Sequence, residues 1–214
     1  MVELYHAVLR IPAWQCRMKQ LILTRWSDMT SVERHPTCVV LVGLSGSGKS
    51  TVGRYVATRL NLPLYDTDAI IEAEAGRTAA DIFASEGEAS FRLRESAVLA
   101  AVMAKAPAVI ATGGGIVTVP DNAVLIRQHA FVVWLDATTA AILTRITGHR
   151  QPRPLLQGEN PYERLEQMRQ KRASLYRSIA DLHMLTDGIH ASAVATRIAM
   201  LLPAHLDQSI SDPS

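Results

Sequence analysis

The chain has 214 residues, of which 48% are hydrophobic and 20% charged, and its formal net charge is +2. This length and composition suit one globular domain with an ample core and exclude a largely disordered protein. Because the charge is small, we expect no nucleic-acid partner. The two cysteines, Cys16 and Cys38, have no metal-ligand spacing, and we expect free thiols in a reducing cytoplasm. No apolar stretch approaches the roughly 18 residues that span a bilayer, so we expect a soluble, cytoplasmic protein with no membrane partner.

Residues 1–36 precede the first predicted strand and stand apart from the rest of the chain. Arg10 and Pro12 interrupt the apolar stretch near the start, which argues against a secretory signal. The segment is too short for a helix-turn-helix domain with its own core. We interpret it as a flexible N-terminal extension, with a small docking segment as the alternative and Met29 as an alternative start.

Residues 43–50 read Gly-Leu-Ser-Gly-Ser-Gly-Lys-Ser and fit the pattern G-x-x-x-x-G-K-[ST] of a phosphate-binding P-loop. The glycines allow backbone conformations that turn successive N–H groups toward one anion. Lys49 adds a positive charge for the β- and γ-phosphates, and the Ser50 hydroxyl can take one coordination position on Mg²⁺. A buried strand is predicted at 37–42 and a helix at 51–60, which is the setting that the motif requires. We therefore predict a site for a nucleoside triphosphate.

From residue 37 onward, predicted strands and helices alternate. The strands are 37–42, 62–65, 108–112, 131–135 and 182–185, and the helices are 51–60, 78–84, 88–104, 120–128, 138–147, 161–179 and 191–202. This alternation predicts an α/β protein of three layers, in which helices cover both faces of a parallel sheet. Ligands in this class of fold bind at the carboxyl ends of the strands, so the residues there are the candidates for a functional site.

The second predicted strand, 62–65, is followed by two carboxylates, Asp66 and Asp68. Residues two apart in an extended segment point the same way, so both side chains can face one cleft. In that arrangement Asp66 can hold Mg²⁺ through water and Asp68 can accept a hydrogen bond from a substrate hydroxyl. The alternative is that Asp66 or Thr67 caps a helix that starts near Ala69.

The other candidate groups are a glycine triplet and several arginines. Gly113–Gly115 follow the third strand and can bring backbone N–H groups close to a small ligand, although a flexible turn would look the same. Arg92 and Glu95, at i and i+3 of a predicted helix, share one face. Arg153 lies in a segment bounded by glycines and stiffened by prolines, which suits a lid, and Arg177 lies near the end of a long basic helix. Taken singly, each of these arginines is also explained as a solvated surface charge.

In this order and spacing, the motifs closely resemble those of the shikimate kinase family. The resemblance covers about residues 37–202 and rests on Gly43–Thr51, Asp66–Asp68, Gly76-Arg77, Ala80–Phe83, Glu86–Glu88, Phe91-Arg92, Gly113–Gly115, Arg153–Leu156 and Leu175–Arg177. It implies a fold like that of nucleoside monophosphate kinases, with a five-stranded parallel sheet in the order 2-3-1-4-5 and a mobile lid. It also implies a P-loop domain at 37–203, followed by a C-terminal tail at 204–214, and we expect a monomer.

The implied reaction transfers the γ-phosphoryl group of ATP to the 3-hydroxyl of shikimate, a step toward chorismate and the aromatic amino acids. The residues implied to bind ATP are Gly46, Ser47, Gly48, Lys49, Ser50 and Thr51, together with Arg153 from the lid. One Mg²⁺ would accompany ATP, with Ser50 as its ligand and Asp66 in its water shell. The family pattern is not complete, because Leu185 and Ala191 stand where the family usually has an aspartate and a proline near the adenine. Nucleotide selectivity is therefore open.

On the acceptor side, the resemblance implies that Asp68 binds the shikimate hydroxyls and orients or deprotonates the nucleophile. Arg92 and Arg177 would hold the shikimate carboxylate, with the Gly114 backbone nearby. Lys49, Asp68 and Arg153 would carry the catalysis. Shikimate is a compact, polyhydroxylated monocarboxylate, and two arginines can clamp its carboxylate in a charge-assisted, geometrically fixed way.

Two alternative functions can be separated from this one. A kinase of the same fold that acts on a sugar such as gluconate would not need both Arg92 and Arg177. A kinase that acts on a nucleoside monophosphate would need a pocket for the base. A ligand sensor that keeps the fold but not the turnover should have lost Lys49, Ser50 or Asp68, and all three are present.

Overall fold

A parallel β-sheet forms the centre of the computed structural model, which describes residues 34, 36–147, 160–203 and 206. Its strands are β1 (Cys38–Val42), β2 (Leu64–Asp66), β3 (Ala108–Ala111), β4 (Ala130–Asp136) and β5 (Leu182–Leu185). They lie in the order β2-β3-β1-β4-β5, and every neighbouring pair is parallel. The predicted sheet and its strand order are thus confirmed.

The helices follow the predicted pattern, with one addition. They are α1 (Lys49–Leu60), α2 (Thr67–Ala75), α3 (Ala79–Met103), α4 (Pro120–His129), α5 (Thr139–Thr147), α6 (Pro161–Ile179) and α7 (Ala191–Leu201), and a 3₁₀ turn spans Ile116–Thr118. The addition is α2, which the sequence suggests only through the alternative that Asp66 caps a helix. The two helices predicted at 78–84 and 88–104 form one helical segment, α3, which is interrupted at Gly87.

The central strand β1 is buried along its whole length because helices cover both faces of the sheet. Val40 and Val42 contribute to an apolar cluster with residues of α3, α4, α5 and α6. Val39 and Leu41 point the other way, as successive strand residues do, and contribute to a second cluster with residues of α1 and α7. The result is the predicted three-layer α/β/α arrangement.

The described residues give two observations, one on membrane-spanning helices and one on thiols. In the described ranges no helix is long and apolar enough to cross a bilayer. Cys38 is a free, buried thiol on β1, and burial raises its pKa. Cys16 lies outside the described residues.

Several expectations concern parts of the chain that the structure does not describe. The extension at 1–36 lies there except for two residues, and so does the tail at 204–214 except for Leu206. The predicted lid and its Arg153 also lie outside the described residues. The domain limits therefore stay predictions.

Candidate active site

The P-loop connects β1 to α1 at the carboxyl edge of the sheet. At Gly43 the backbone has φ 141°, and an added Cβ would lie 2.2 Å from the carbonyl oxygen of Leu135, so a side chain has no room there. The N-cap of α1 is Gly48, which has no side chain to occupy the N–H groups of the first turn. A helix N-terminus of this kind carries partial positive charge and binds anions, as the sequence motif predicts.

The Lys49 ammonium lies against the backbone of the loop. Its Nζ donates hydrogen bonds to the carbonyl oxygens of Gly43 at 2.9 Å and Leu44 at 2.8 Å, and the residue is 7% exposed. By contrast, Ser50 and Thr51 in the first turn of α1 are exposed. The loop thus places one buried ammonium group near two exposed hydroxyl groups. An ammonium group can bind a phosphate, and a hydroxyl group can bind the metal ion that accompanies it.

Arg145 and Thr186, which the sequence did not suggest as site residues, contact the backbone of the P-loop. Arg145 on α5 donates to Thr186 Oγ1 at 2.9 Å and to the Thr186 carbonyl at 2.7 Å, and its Nη1 lies 3.4 Å from the carbonyl oxygens of Gly46 and Ser47. Thr186 Oγ1 is also within 3.2 Å of the Ser47 carbonyl. These contacts join the loop to the turn after β5. They connect residues far apart in the chain, and no local motif marks them.

The end of β2 differs from the extended geometry expected for the two aspartates. Helix α2 begins at Thr67, so Asp68 stands in its first turn and not on a strand. Asp66 is the N-cap, and its Oδ1 accepts a hydrogen bond from the Ala69 amide at 3.3 Å. The capping alternative is therefore realised for Asp66. Its predicted place in the water shell of a metal ion stays a prediction.

From the first turn of α2, Asp68 reaches the glycine turn after β3. An added Cβ on Gly113 would lie 2.6 Å from Asp68 Oδ1 and 2.3 Å from Glu95 Oε1, so both carboxylates crowd the same backbone position. The Gly113 amide donates to Thr67 Oγ1 at 3.0 Å, which ties the start of α2 to this turn. The site thus contains two carboxylates from different helices.

Arg92 lies against the last residue of the glycine turn. An added Cβ on Gly115 would come within 2.2 Å of both Nη atoms of Arg92. The Arg92 side chain is 15% exposed, and its guanidinium pairs with Glu95 at 2.7 Å and with Glu88 at 3.0 Å. The Glu95 side chain is fully buried, and burial raises its pKa, with the nearby Asp68 charge acting in the same direction and Arg92 against it.

Two buried polar atoms beside the turn have no hydrogen-bond partner among the described residues. They are Arg92 Nε and Glu95 Oε1. Unsatisfied polar atoms in a protein interior are rare because each costs free energy until water or a ligand pairs with it. Both atoms belong to the Arg92–Glu95 ion pair, whose other atoms lie 2.7 Å apart.

Helix α6 brings a further arginine to the same turn, and it is Arg172. Its Nη1 donates to the Gly114 carbonyl oxygen at 3.1 Å, and the buried Tyr176 hydroxyl donates to the same oxygen. Burial raises the pKa of Tyr176, which keeps the hydroxyl protonated as a donor. Arg177 is exposed, and its Cζ lies 5.8 Å from the centroid of the Trp134 ring.

The structure thus brings Arg172, and not Arg177, to the turn that Arg92 contacts. The two residues are five apart on a helix, which separates them by about 140° around its axis. The buried positions of α6 are Leu165, Tyr176 and Ile179. Arg172 lies four residues before Tyr176 and shares this inward face, so helical periodicity was the signal that could have identified it.

The glycine turn after β3 therefore lies between the P-loop and a cluster of two carboxylates and two guanidinium groups. Known proteins with similar sequences agree with this arrangement. A family model described as shikimate kinase matches residues 45–203. The chain belongs to the shikimate kinase family. Members of this family are ATP-dependent phosphotransferases that act on shikimate, and the chain has this activity class.

Individual relatives match most of the chain. It is 48% identical to the shikimate kinase of Symbiobacterium thermophilum over 152 residues, which are 70% of this chain and 86% of that protein. It is 44% identical to the shikimate kinase of Halorhodospira halophila over 169 residues, which are 79% of this chain and 95% of that protein.

Solved structures give the same answer. The shikimate kinase from Acinetobacter baumannii in complex with shikimate superposes with a TM-score of 0.74 at 38% identity, covering 78% of this chain and 93% of that one. The shikimate kinase from Bacteroides thetaiotaomicron superposes with a TM-score of 0.72 at 30% identity, covering 77% and 97%.

Proposed function

We propose that the protein transfers the γ-phosphoryl group of ATP to the 3-hydroxyl of shikimate, giving shikimate 3-phosphate and ADP on the route to chorismate and the aromatic amino acids. One observation carries the proposal. The glycine turn after β3 is contacted by the Asp68 carboxylate and by the guanidinium groups of Arg92 and Arg172. An added Cβ on Gly114 of the same turn would lie 2.9 Å from the Ser45 amide, so the turn abuts the P-loop.

The donor side is the P-loop, residues Gly46 to Thr51. The first-turn N–H groups of α1 would bind the phosphates, and Lys49 would stabilise the charge that develops on the transferred group. Arg153, from the predicted lid, would close onto ATP. The role of the P-loop follows from its position and from the family resemblance, and the role of Arg153 follows from the family resemblance.

One Mg²⁺ would accompany ATP, and the residues present fit it. Ser50 offers an exposed hydroxyl in the first turn of α1, and Asp66 at the end of β2 offers its second carboxylate oxygen for a metal-bound water. Within the described ranges no group of three or more His, Cys, Asp and Glu side chains is placed to hold a metal. This sparse set suits Mg²⁺, which commonly keeps water and phosphate ligands. When bound, the ion would neutralise phosphate charge.

On the acceptor side, we assign the shikimate carboxylate to Arg92 and Arg172, and no longer to Arg177. The Arg92 side chain is 15% exposed, and a guanidinium presents paired N–H donors to a carboxylate. The Gly114 carbonyl fixes Arg172, and Glu95 fixes Arg92, so both guanidinium groups are oriented before the substrate binds. Preorganised charges of this kind lose little entropy on binding.

Asp68 would act on the hydroxyl that receives the phosphoryl group. Its carboxylate can accept the hydroxyl proton or orient the oxygen for in-line attack, and no covalent protein intermediate is needed. Catalysis then rests on positioning and charge neutralisation by Lys49, Asp68 and the lid arginine. We further propose that the protein works as a monomer in the cytoplasm, with no nucleic-acid or membrane partner.

The test is a coupled ADP-release assay with shikimate, run with and without Mg²⁺. We expect turnover with shikimate that depends on Mg²⁺, and little turnover with gluconate or a nucleoside monophosphate. Equal or faster transfer to either alternative acceptor would contradict the proposal.

A further inference from the structure

Helix α3 is interrupted at Gly87, the residue that follows Glu86, and Glu86 forms ion pairs with two arginines. Gly87 has φ 82° and ψ 170°, outside the helical region, so α3 consists of a first half, 79–86, and a second half, 88–103. An added Cβ on Gly87 would meet nothing within 4 Å, so the glycine is required by its backbone conformation and not by crowding. Helical hydrogen bonding does not run unbroken across such a residue, so other contacts must hold the angle between the halves.

The Glu86 carboxylate makes those contacts. It is the last residue of the first half, and it accepts hydrogen bonds from Ser90 at 2.7 Å and Arg94 at 3.0 Å, both on the second half. It also pairs with Arg77, which precedes α3 and donates to Ser85 Oγ at 3.1 Å. The hydrogen bonds from Ser90, Arg77 and Arg94 lower the pKa of Glu86 to about 2, so the carboxylate is ionised at neutral pH.

The angle at Gly87 decides what surrounds Arg92. Phe83 on the first half stacks on Phe91 of the second half with ring centroids 4.4 Å apart. The Arg92 Cζ lies 5.7 Å from the centroid of each ring. Arg92 is therefore held between this aromatic pair and the glycine turn at Gly115, and the aromatic wall is complete only while the two halves keep their angle.

The two halves are anchored unequally. Val98, Leu99 and Val102 of the second half lie in the buried core beneath the sheet. Of the first half, Ile82 alone among the described positions 79–86 is buried. Loss of the Glu86 contacts should therefore change the placement of the first half while the second half and the core stay in place.

We propose that Glu86 is a positioning residue for the acceptor site, whose shared carboxylate holds the two halves of α3 across Gly87 and so keeps Phe83 against Arg92. This role rests on the proposed function, because Arg92 is taken there to bind the substrate carboxylate. An isolated surface ion pair contributes little to stability, but one carboxylate shared by two arginines and a serine fixes a geometry.

The test is Glu86→Gln, which keeps the size of the side chain and removes its charge. We expect the KM for shikimate to rise about two- to thirty-fold, since changes in residues that act through a neighbour alter coupling by about 0.5–2 kcal/mol. The kcat at saturating shikimate and the KM for ATP should stay within about two-fold, because the P-loop and Asp68 are untouched.

Arg127→Gln is the matched control. It breaks the Arg127–Asp181 ion pair, which resembles the Arg77–Glu86 pair in exposure. The arginine side chains of the two pairs are 43% and 42% exposed. That pair lies on α4 and the start of β5, away from α3, and its loss should leave both KM values unchanged. A merely structural role for Glu86 would make the two variants behave alike.

Hydrogen exchange provides a readout that does not depend on the substrate. In Glu86→Gln the amides of 79–86 should exchange faster than in the wild type, while those of 98–103 should not change. An unchanged exchange rate at 79–86, or faster exchange with no change in the KM for shikimate, would overturn the proposal. If the wild type does not phosphorylate shikimate, the proposed function is wrong. The positioning role is rejected separately if Glu86→Gln does not speed amide exchange at 79–86.

Discussion

The side chain of Arg172 donates a hydrogen bond to the carbonyl oxygen of Gly114 at 3.1 Å. This contact joins helix α6 to the glycine turn after β3, and Arg92 lies against Gly115 of the same turn. Because the charges of both arginines are fixed around one short turn, a small carboxylate bound there would meet two guanidinium groups at once.

Arg172→Ala should weaken shikimate binding far more than ATP binding. Truncating one partner of a buried charge contact costs on the order of 2–5 kcal/mol, so the KM for shikimate should rise by at least ten-fold. Arg177→Ala is the control on the same helix, and we expect its KM to stay near the wild-type value because Arg177 is exposed over Trp134. Steady-state kinetics with each substrate varied in turn measures the KM for shikimate and the KM for ATP. A larger effect from Arg177→Ala would reverse our assignment.

Lys49→Ala should lower kcat by about 10²–10³, because a preorganised charge beside the transferred phosphoryl group is lost. Lys105→Ala, which removes an exposed charge beside the Tyr65 ring, is the matched control and should turn over normally. Since Lys49 also bonds to the loop backbone, circular dichroism and a melting curve must first show that the variant is folded. Near-normal turnover by the folded variant would reject the P-loop assignment.

The Glu86 cluster predicts an acid-dependent contribution to stability. The pKa of Glu86 is lowered from 4.5 to about 2 in the folded protein, so its ionised form stabilises the fold above the unfolded-state pKa. That contribution is lost as the pH falls from about 4.5 toward 2. Melting temperatures of the wild type and Glu86→Gln should differ at pH 6, and the difference should shrink below about pH 4.5 and nearly vanish only toward pH 2. A difference that stays constant over this range would show that the carboxylate charge is not responsible.

The sequence predicted those parts of the site whose chemistry lies in consecutive residues. The P-loop is an example, because its glycines and Lys49 are read from eight adjacent positions and the flanking strand and helix follow from apolar patterns. The strand order came through the family resemblance. Asp68 was expected in an extended segment after the second strand, but it stands in the first turn of α2 and reaches Gly113 from there.

Other parts depend on which way a side chain faces or on distant contacts, and the sequence alone did not predict them. Arg172 and Arg177 are both arginines on one helix, and the inward position of Tyr176 separates them only when the helical face is followed. Arg145 and Thr186 are 41 positions apart in the chain, and their contact depends on how the chain brings α5 to the turn after β5. Long-range contacts of this kind come from packing and carry no local signal.

The most direct test of the account is single-turnover phosphoryl transfer to shikimate by Asp68→Asn, with ATP affinity measured on the same variant. Asn keeps the size of the side chain but carries no charge and accepts no proton. If Asp68 orients and activates the hydroxyl at the glycine turn, the transfer rate should fall by about 10²–10⁴ while ATP affinity barely changes. A transfer rate near that of the wild type would contradict the account, because it would leave Asp68 no more than a residue of the first turn of α2.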